Sequence, residues 1–244
     1  MSNSFAASGR TLLRTEVRAP GLACSRWFVL LGCLATISAP ASETDALIDR
    51  WCAAQTNIQT WSADLTQTRS LKALKQPLVA TGKIWTVPPD KFRLELGQPP
   101  QTIVLRLPDE LELIYPRLKR AEKYQLHTAQ TGPWKDALAL LDASFPRNRG
   151  ELESGFQVVS ATQTNAALEL VMQPRSAAAR KYMTEVRVVV NSNDFGPVAT
   201  ELRFSDGSWM RTDFTNAVLN APLPEGVFEA KLGPDVKVVE PLRQ

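Results

Sequence analysis

Side chains suited to nucleophilic or metal chemistry are scarce in this sequence. His127 is the single histidine, and Cys52 is the one cysteine beyond residue 41. A zinc site needs several such ligands at short spacings, so we expect no metal site and a surface position for His127. The serine, lysine and glycine-rich signatures of nucleophilic, phosphoryl and hydride chemistry are also missing. The sequence therefore predicts that the protein is not an enzyme and needs no cofactor.

Two groups of charged residues remain to be placed. Asp109, Glu110 and Glu112 flank a predicted turn, and we expect them to be solvated rather than paired as in a glycosidase. The next hairpin carries four cations, for which we expect a solvated turn and keep a phosphate or acidic-partner site as the alternative: Arg117, Lys119, Arg120 and Lys123.

The N-terminus has the pattern of an export signal. Four arginines within residues 1–26 precede an apolar run over 27–37, and the small residues at 39 and 41 suit cleavage before Ser42. A bilayer-spanning helix needs roughly 20 apolar residues, more than this run supplies. We therefore expect residues 1–41 to be a cleaved signal peptide and 42–244 to be one domain in the periplasm. An uncleaved anchor and lipid attachment at Cys33 are the alternatives.

The charge balance argues against a nucleic-acid-binding protein. The chain has 28 Lys and Arg and 25 Asp and Glu, and residues 1–41 hold four Arg and one Glu, which leaves 24 of each sign. A near-neutral domain gives no electrostatic basis for nucleic-acid binding.

Cys24 and Cys33 lie in the leader, so Cys52 has no partner for an internal disulfide. We expect Cys52 to be buried and inert on the apolar face of a helix.

Hydrophobic periodicity predicts a mainly β domain with two helices. A helical spacing covers residues 44–56, and a second amphipathic helix follows Gly132-Pro133 over 134–145. Alternating segments predict six strands between residues 61 and 126, and five more over 156–160, 167–172, 183–190, 198–204 and 209–214. About 11 strands exceed what a small sandwich needs, so we expect a strongly curved sheet around helices. The proline-rich tail from Pro222 is interpreted as a strap.

Five motifs in order suggest a family. They are Trp61-Ser-Ala-Asp-Leu-Thr-Gln-Thr, Gly82-Lys-Ile-Trp85, Pro89-Asp-Lys-Phe92-Arg, Tyr115-Pro116 and Pro224-Glu-Gly-Val-Phe228. Over residues 45–240 the sequence resembles the LolA family of outer-membrane lipoprotein carriers. The resemblance implies an open, incomplete antiparallel β-barrel with helices capping its concave face. It also implies acylated lipoproteins as cargo, an inner-membrane lipoprotein-releasing ABC transporter as donor, an outer-membrane acceptor, and a monomeric carrier.

Two positions can be compared with members of that family. Their arginine before the proline of the second hairpin, which holds the helical lid closed, corresponds here to Pro88, so the lid must be held differently. Their phenylalanine linked to one-way lipid transfer corresponds to Phe92.

The apolar strand faces and the second helix predict the lining of a lipid-binding hollow. The expected lining residues are Trp85, Phe92, Leu94, Ile103, Leu105, Leu113 and Tyr115 from the sheet, with Leu138 and Leu141 from the helix. The alternative is that these residues form an ordinary core. Two other functions stay open at this point: a binding or sensor module of the same fold for another lipid or glycolipid, and a hydrolase of envelope lipids.

Overall fold

The structure, a computed structural model, describes residues 43–126 and 145–240. Within these ranges lie the helices α1 (Glu43–Gln55), α2 (Arg149–Gly155) and α3 (Ala177–Arg180), and a 3₁₀ turn at Pro116–Leu118. The strands are β1 (Trp61–Ser70), β2 (Leu78–Val87), β3 (Lys91–Leu96), β4 (Thr102–Arg106), β5 (Glu110–Tyr115), β6 (Arg120–Gln125), β7 (Phe156–Gln163), β8 (Ala167–Pro174), β9 (Met183–Asn191), β10 (Pro197–Phe204), β11 (Trp209–Leu219) and β12 (Lys237–Val239).

All twelve of these strands belong to one sheet, in the order β12-β6-β5-β4-β3-β2-β1-β11-β10-β9-β8-β7. Neighbouring strands are antiparallel except for β12, which runs parallel to β6. The two end strands, β12 and β7, do not pair with each other, so the sheet is not closed. The predicted mainly β, open and incomplete barrel with helices is therefore confirmed, with one strand more than the eleven expected.

One helix covers the inner face of the sheet at its β7–β9 end. Leu47, Ile48, Trp51 and Cys52 recur at helical spacing in α1 and are buried against a core that includes Leu168, Leu170, Met172 and Val188. The predicted helix over residues 44–56 is thus confirmed. Its last turn is held at the β9–β10 connection, because Gln55 Nε2 donates a hydrogen bond of 2.9 Å to the carbonyl of Phe195.

Arg149 joins the two longer helices. Its guanidinium bonds to Asp45 of α1 and to Glu153 of α2, the latter at 2.6 Å, and it lies 3.5 Å from Asp49. These ion pairs raise the pKa of Arg149, with the Glu153 hydrogen bond as the largest cause. The group fixes α2 beside α1 and so fixes the direction in which the chain enters β7.

The C-terminal tail crosses the outer face of β3–β5, as predicted for a strap. Arg93 Nη1 donates to the carbonyls of Val227 and Glu229 at 3.3 and 3.1 Å. Further along, Leu232 and Val236 lie close to Ile103 and Ile114. The tail ends as β12, whose pairing with β6 the sequence pattern did not predict. The tail consequently covers the outer face of this part of the sheet.

The predicted second helix over residues 134–145 falls almost entirely outside the described residues, which resume at Phe145. Among the helices of the described ranges, none combines the length and apolar character needed to cross a bilayer.

Candidate functional site

An apolar cavity of about 180 Å³ lies against the inner face of the sheet. Strands β1, β2, β3, β9, β10 and β11 supply most of its wall, together with Phe145. The apolar lining residues are Trp61, Leu65, Ile84, Pro89, Phe92, Leu94, Phe145, Val186, Val188, Pro197, Leu202, Met210 and Phe214. An engineered apolar cavity of ~150 Å³ stays dry and takes up benzene, so a space of this kind favours hydrocarbon over water.

Strand register explains why these residues meet. In an antiparallel pair, directly opposed residues point to the same face. Leu65 is opposed by Phe214 on one side and by Gly82 on the other. Ile84 is opposed by Leu94. Paired residues on successive strands therefore all point to the inner face across the width of the cavity.

Aromatic rings pack around Trp61 at the start of β1. Its ring centroid lies 5.6 Å from that of Phe145 and 4.9 Å from that of Phe214, the second in an edge-on contact. Such tilted and edge-on pairs are the favourable arrangements of aromatic rings. Phe145 thus joins the segment after the first meander to the wall of the cavity.

The predicted lining residues divide between the two faces. Phe92 and Leu94 line the cavity. Leu113 and Tyr115 lie on the same inner face in a cluster with Phe92, next to the cavity wall. Leu138 and Leu141 lie outside the described residues.

Trp85, Ile103 and Leu105 lie on the outer face, so the structure places them away from the cavity. Leu105 is opposed by Arg93, whose side chain bonds to the tail, and Ile103 by Glu95. Trp85 is likewise opposed by Arg93. β4 has apolar residues on both faces because the tail covers the outer face. The alternating set of residues that the sequence predicted to face the cavity was therefore the wrong one.

The sequence-based lining set omitted residues that the structure brings to the cavity. Trp61 and Leu65 carried a usable signal, because their alternation in β1 fixes the apolar face of the first strand. Ile84 precedes Trp85 in β2, and the same alternation directs its side chain to the inner face. The remaining lining residues come from strands in the second half of the chain, and no local pattern connects them to the first meander: Val188, Leu202, Met210 and Phe214.

Six polar or charged residues also border the cavity: Gln67, Thr86, Lys91, Arg106, Thr200 and Thr212. Gln67 Nε2 donates to Thr212 Oγ1 at 3.5 Å. Thr86 Oγ1 and Trp61 Nε1 are buried and have no hydrogen-bond partner within the described part of the chain. The cavity is therefore apolar with two unused hydrogen-bonding groups in its wall.

The described groups considered for chemistry, Cys52 and the carboxylates near the β4–β5 turn, do not line this cavity. His127 lies outside the described residues. Cys52 is buried in α1, and burial raises the pKa of its thiol to about 11, as expected for an inert side chain. Residues 43–126 and 145–240 contain no cluster of side chains that could hold a metal ion.

The carboxylates near the β4–β5 turn differ from the prediction. Glu112 is 3% exposed rather than solvated, and Lys123 Nζ lies 2.6 Å from it and 3.1 Å from Glu110. Glu112 is on the outer face, opposite Leu105, and this group is separate from the cavity.

A match to a protein-family model identifies the family of this chain. Residues 56–231 match the model of the family described as outer membrane lipoprotein carrier protein LolA. The chain belongs to the LolA family. No curated protein sequence matches it significantly.

Solved structures with a similar course of the chain have low identities. An uncharacterized conserved protein from Thermus thermophilus aligns with a TM-score of 0.48 and 10% identity, over 80% of this chain and 98% of that one. A putative outer membrane lipoprotein-sorting protein domain from Vibrio parahaemolyticus gives 0.43 and 14%, over 74% and 93%. A chain of the Pseudomonas aeruginosa MucA/MucB complex gives 0.43 and 18%, over 79% and 63%.

The two positions compared within the LolA family lie close together, in the β2–β3 turn and at the start of β3. Phe92 is 5% exposed on the inner face. Pro88 lies in the turn between β2 and β3 and borders a second cavity of about 260 Å³, which Phe145, Pro146 and Arg147 also line. The chain that follows residue 144 therefore lies across a small cavity from the β2–β3 turn, where Pro88 occupies the position compared with the family arginine.

Proposed function

We propose that this LolA-family protein is a periplasmic carrier of lipoproteins. It binds their acyl chains in the inner-face cavity and shuttles them from an inner-membrane ABC exporter to an acceptor at the outer membrane. In this proposal residues 1–41 direct export and are removed, the mature protein acts as a monomer, and it catalyses no reaction. The observation that carries the proposal is the apolar cavity in an open barrel of a carrier family.

Binding strength must be moderate for a shuttle to unload. Burying a methylene contributes about 0.8 kcal/mol, so a sixteen-carbon chain offers about 13 kcal/mol before ordering costs. The cavity of about 180 Å³ is bounded by packed side chains, and we expect loading to displace some of them. Phe145, packed on Trp61, is one such residue. The energy needed to displace the core offsets part of the gain and leaves the cargo transferable.

The first experiment places a charge in the cavity wall. Leu94→Glu should weaken binding of a fluorescent acyl probe at least tenfold, because a carboxylate there must be desolvated beside the bound chain. Val79→Glu is the matched control, since Val79 is exposed on the neighbouring strand β2 and points to the outer face. Circular dichroism should show both variants folded. Equal probe affinity in the two variants would contradict the proposed cavity.

The shuttle role itself requires a transfer experiment. The purified protein should extract a triacylated lipoprotein from inner-membrane vesicles and release it to outer-membrane vesicles, and Leu94→Glu should do neither. Mass spectrometry of lipid that copurifies from the periplasm would identify the natural ligand. A bound glycolipid without any lipoprotein would instead favour a carrier for a different cargo.

A further inference from the structure

Two buried polar groups lie side by side in the wall of the cavity. Trp61 of β1 and Thr86 of β2 are directly opposed partners in the antiparallel pair, so both side chains project from the inner face. Both residues line the cavity. Trp61 is 1% exposed and Thr86 6% exposed, so both are almost fully removed from solvent.

Neither polar atom has a hydrogen-bond partner among the described residues. Trp61 Nε1 can only donate, whereas Thr86 Oγ1 can donate and accept. Most buried polar side-chain atoms in proteins do have a partner, so two neighbouring exceptions require an explanation. Thr212, in the same wall, illustrates the usual case, because its hydroxyl accepts from Gln67.

The chemistry of a missing partner follows from these two groups. A carbonyl oxygen has two lone pairs and can accept from an indole N–H and a hydroxyl together. A hydrocarbon or an ether-linked alkyl chain offers no equivalent acceptor of that strength at the same point. Most of the surrounding lining is apolar, so a carbonyl attached to a long apolar chain fits both the two polar groups and the wall around them.

We propose that Trp61 Nε1 and Thr86 Oγ1 form a binding site for the carbonyl group of an acyl ester or amide, so that the cavity selects acyl over alkyl chains. The inference rests on the proposed lipid-carrier function and names the chemical feature that the cavity recognises. It places the head of the acyl chain between β1 and β2, and the hydrocarbon along Ile84, Leu94 and Phe214.

A matched pair of soluble lipids tests this selection. Lysophosphatidylcholine with a palmitoyl ester chain and its hexadecyl ether analogue differ only in that carbonyl. In displacement of a fluorescent acyl probe, the ester should bind the wild-type protein about tenfold more tightly than the ether, a ratio suited to hydrogen bonds of ordinary net strength. The ratio should fall towards one in Thr86→Val and in Trp61→Phe.

The control is Thr81→Val, the same substitution at an exposed position on the outer face of β2, which should keep the wild-type ratio. Thr86→Val preserves side-chain shape and carries the test alone if Trp61→Phe does not fold. Equal binding of ester and ether by the wild type, or an unchanged ratio in folded Thr86→Val, overturns the carbonyl site. Binding of neither lipid contradicts the proposed function itself, which is a different result.

Discussion

Glu112 is a buried carboxyl group on the outer face of β5. Burial is the largest cause of its raised pKa, and a hydrogen bond with Glu110 adds to it, while Lys123 opposes the shift. The pKa of Glu110 is lowered, first by its hydrogen bond with Glu112. The pair therefore holds a proton on Glu112 more readily than the unfolded chain would.

This arrangement predicts a pH dependence of stability. Between the ordinary carboxyl pKa and its raised native value, the folded protein binds more protons at Glu112 than the unfolded one, so its free energy of unfolding falls as pH rises. Glu112→Gln removes this contribution. Urea unfolding across the range from acidic to neutral pH should show the variant gaining stability relative to wild type as pH rises. Glu225→Gln, at an exposed site, is the control, and a flat difference for Glu112→Gln would contradict the assignment.

Gly82 marks a close approach of β2 and β3. A Cβ atom built there would lie 1.9 Å from the carbonyl oxygen of Glu95, so only glycine fits without moving backbone. Gly82→Ala should lower the free energy of unfolding by about 1–3 kcal/mol, the usual cost of overpacking. Gly155→Ala is the control, because a Cβ at Gly155 meets no atom within 4 Å. Urea denaturation followed by tryptophan fluorescence measures both, and equal stabilities would refute the steric argument.

The position of the C-terminal tail on the sheet depends on Arg93. This side chain spans from Glu95, at 2.7 Å, to two carbonyls of the tail. Arg93→Gln cannot make all of these bonds, and hydrogen bonds from charged groups contribute about 1.5–3 kcal/mol. Amide hydrogen exchange over residues 227–239 should accelerate at least tenfold, whereas exchange in β1 should not change.

Exposed Arg69, at the end of β1, supplies the control for this measurement. Arg69→Gln should leave exchange in the tail at the wild-type rate. Faster exchange in both variants, or throughout the sheet in Arg93→Gln, would mean that the tail is not held by Arg93 in particular.

Element positions could be predicted from the sequence far better than which face each residue occupies. The alternation at residues 156, 167 and 183 located strands that the structure begins at the same residues. The alternation of β4 could not assign its faces, because Leu105 and Val104 are both apolar and each is covered from its own side. β12 has only three residues and owes its existence to a partner strand far away in the sequence. These features depend on tertiary contacts that a local pattern does not contain.

Ligand binding and the folding of the protein are thermodynamically linked. A ligand that binds only the folded protein stabilises it by about 2.7 kcal/mol at a concentration of 100 times Kd. The palmitoyl ester lipid should therefore raise the thermal midpoint of the wild type in a concentration-dependent way. Leu94→Glu should show a smaller rise at the same concentrations. An equal rise in differential scanning calorimetry would locate the binding outside the cavity.

The pairing of β1 with β11 has a consequence for how the chain is made. It brings Trp61 beside Leu219 and joins the early meander β1–β6 to the late meander β7–β11. Polypeptides emerge N-terminus first. The edge of β1 that pairs with β11 therefore has unpaired amides until most of the remaining chain has been synthesised. A strand edge without a partner can pair with other chains, so β1 is open to association until β11 is available. The last long strand, β11, therefore joins the two meanders. Any delay in its pairing with β1 prolongs the time during which that edge is exposed.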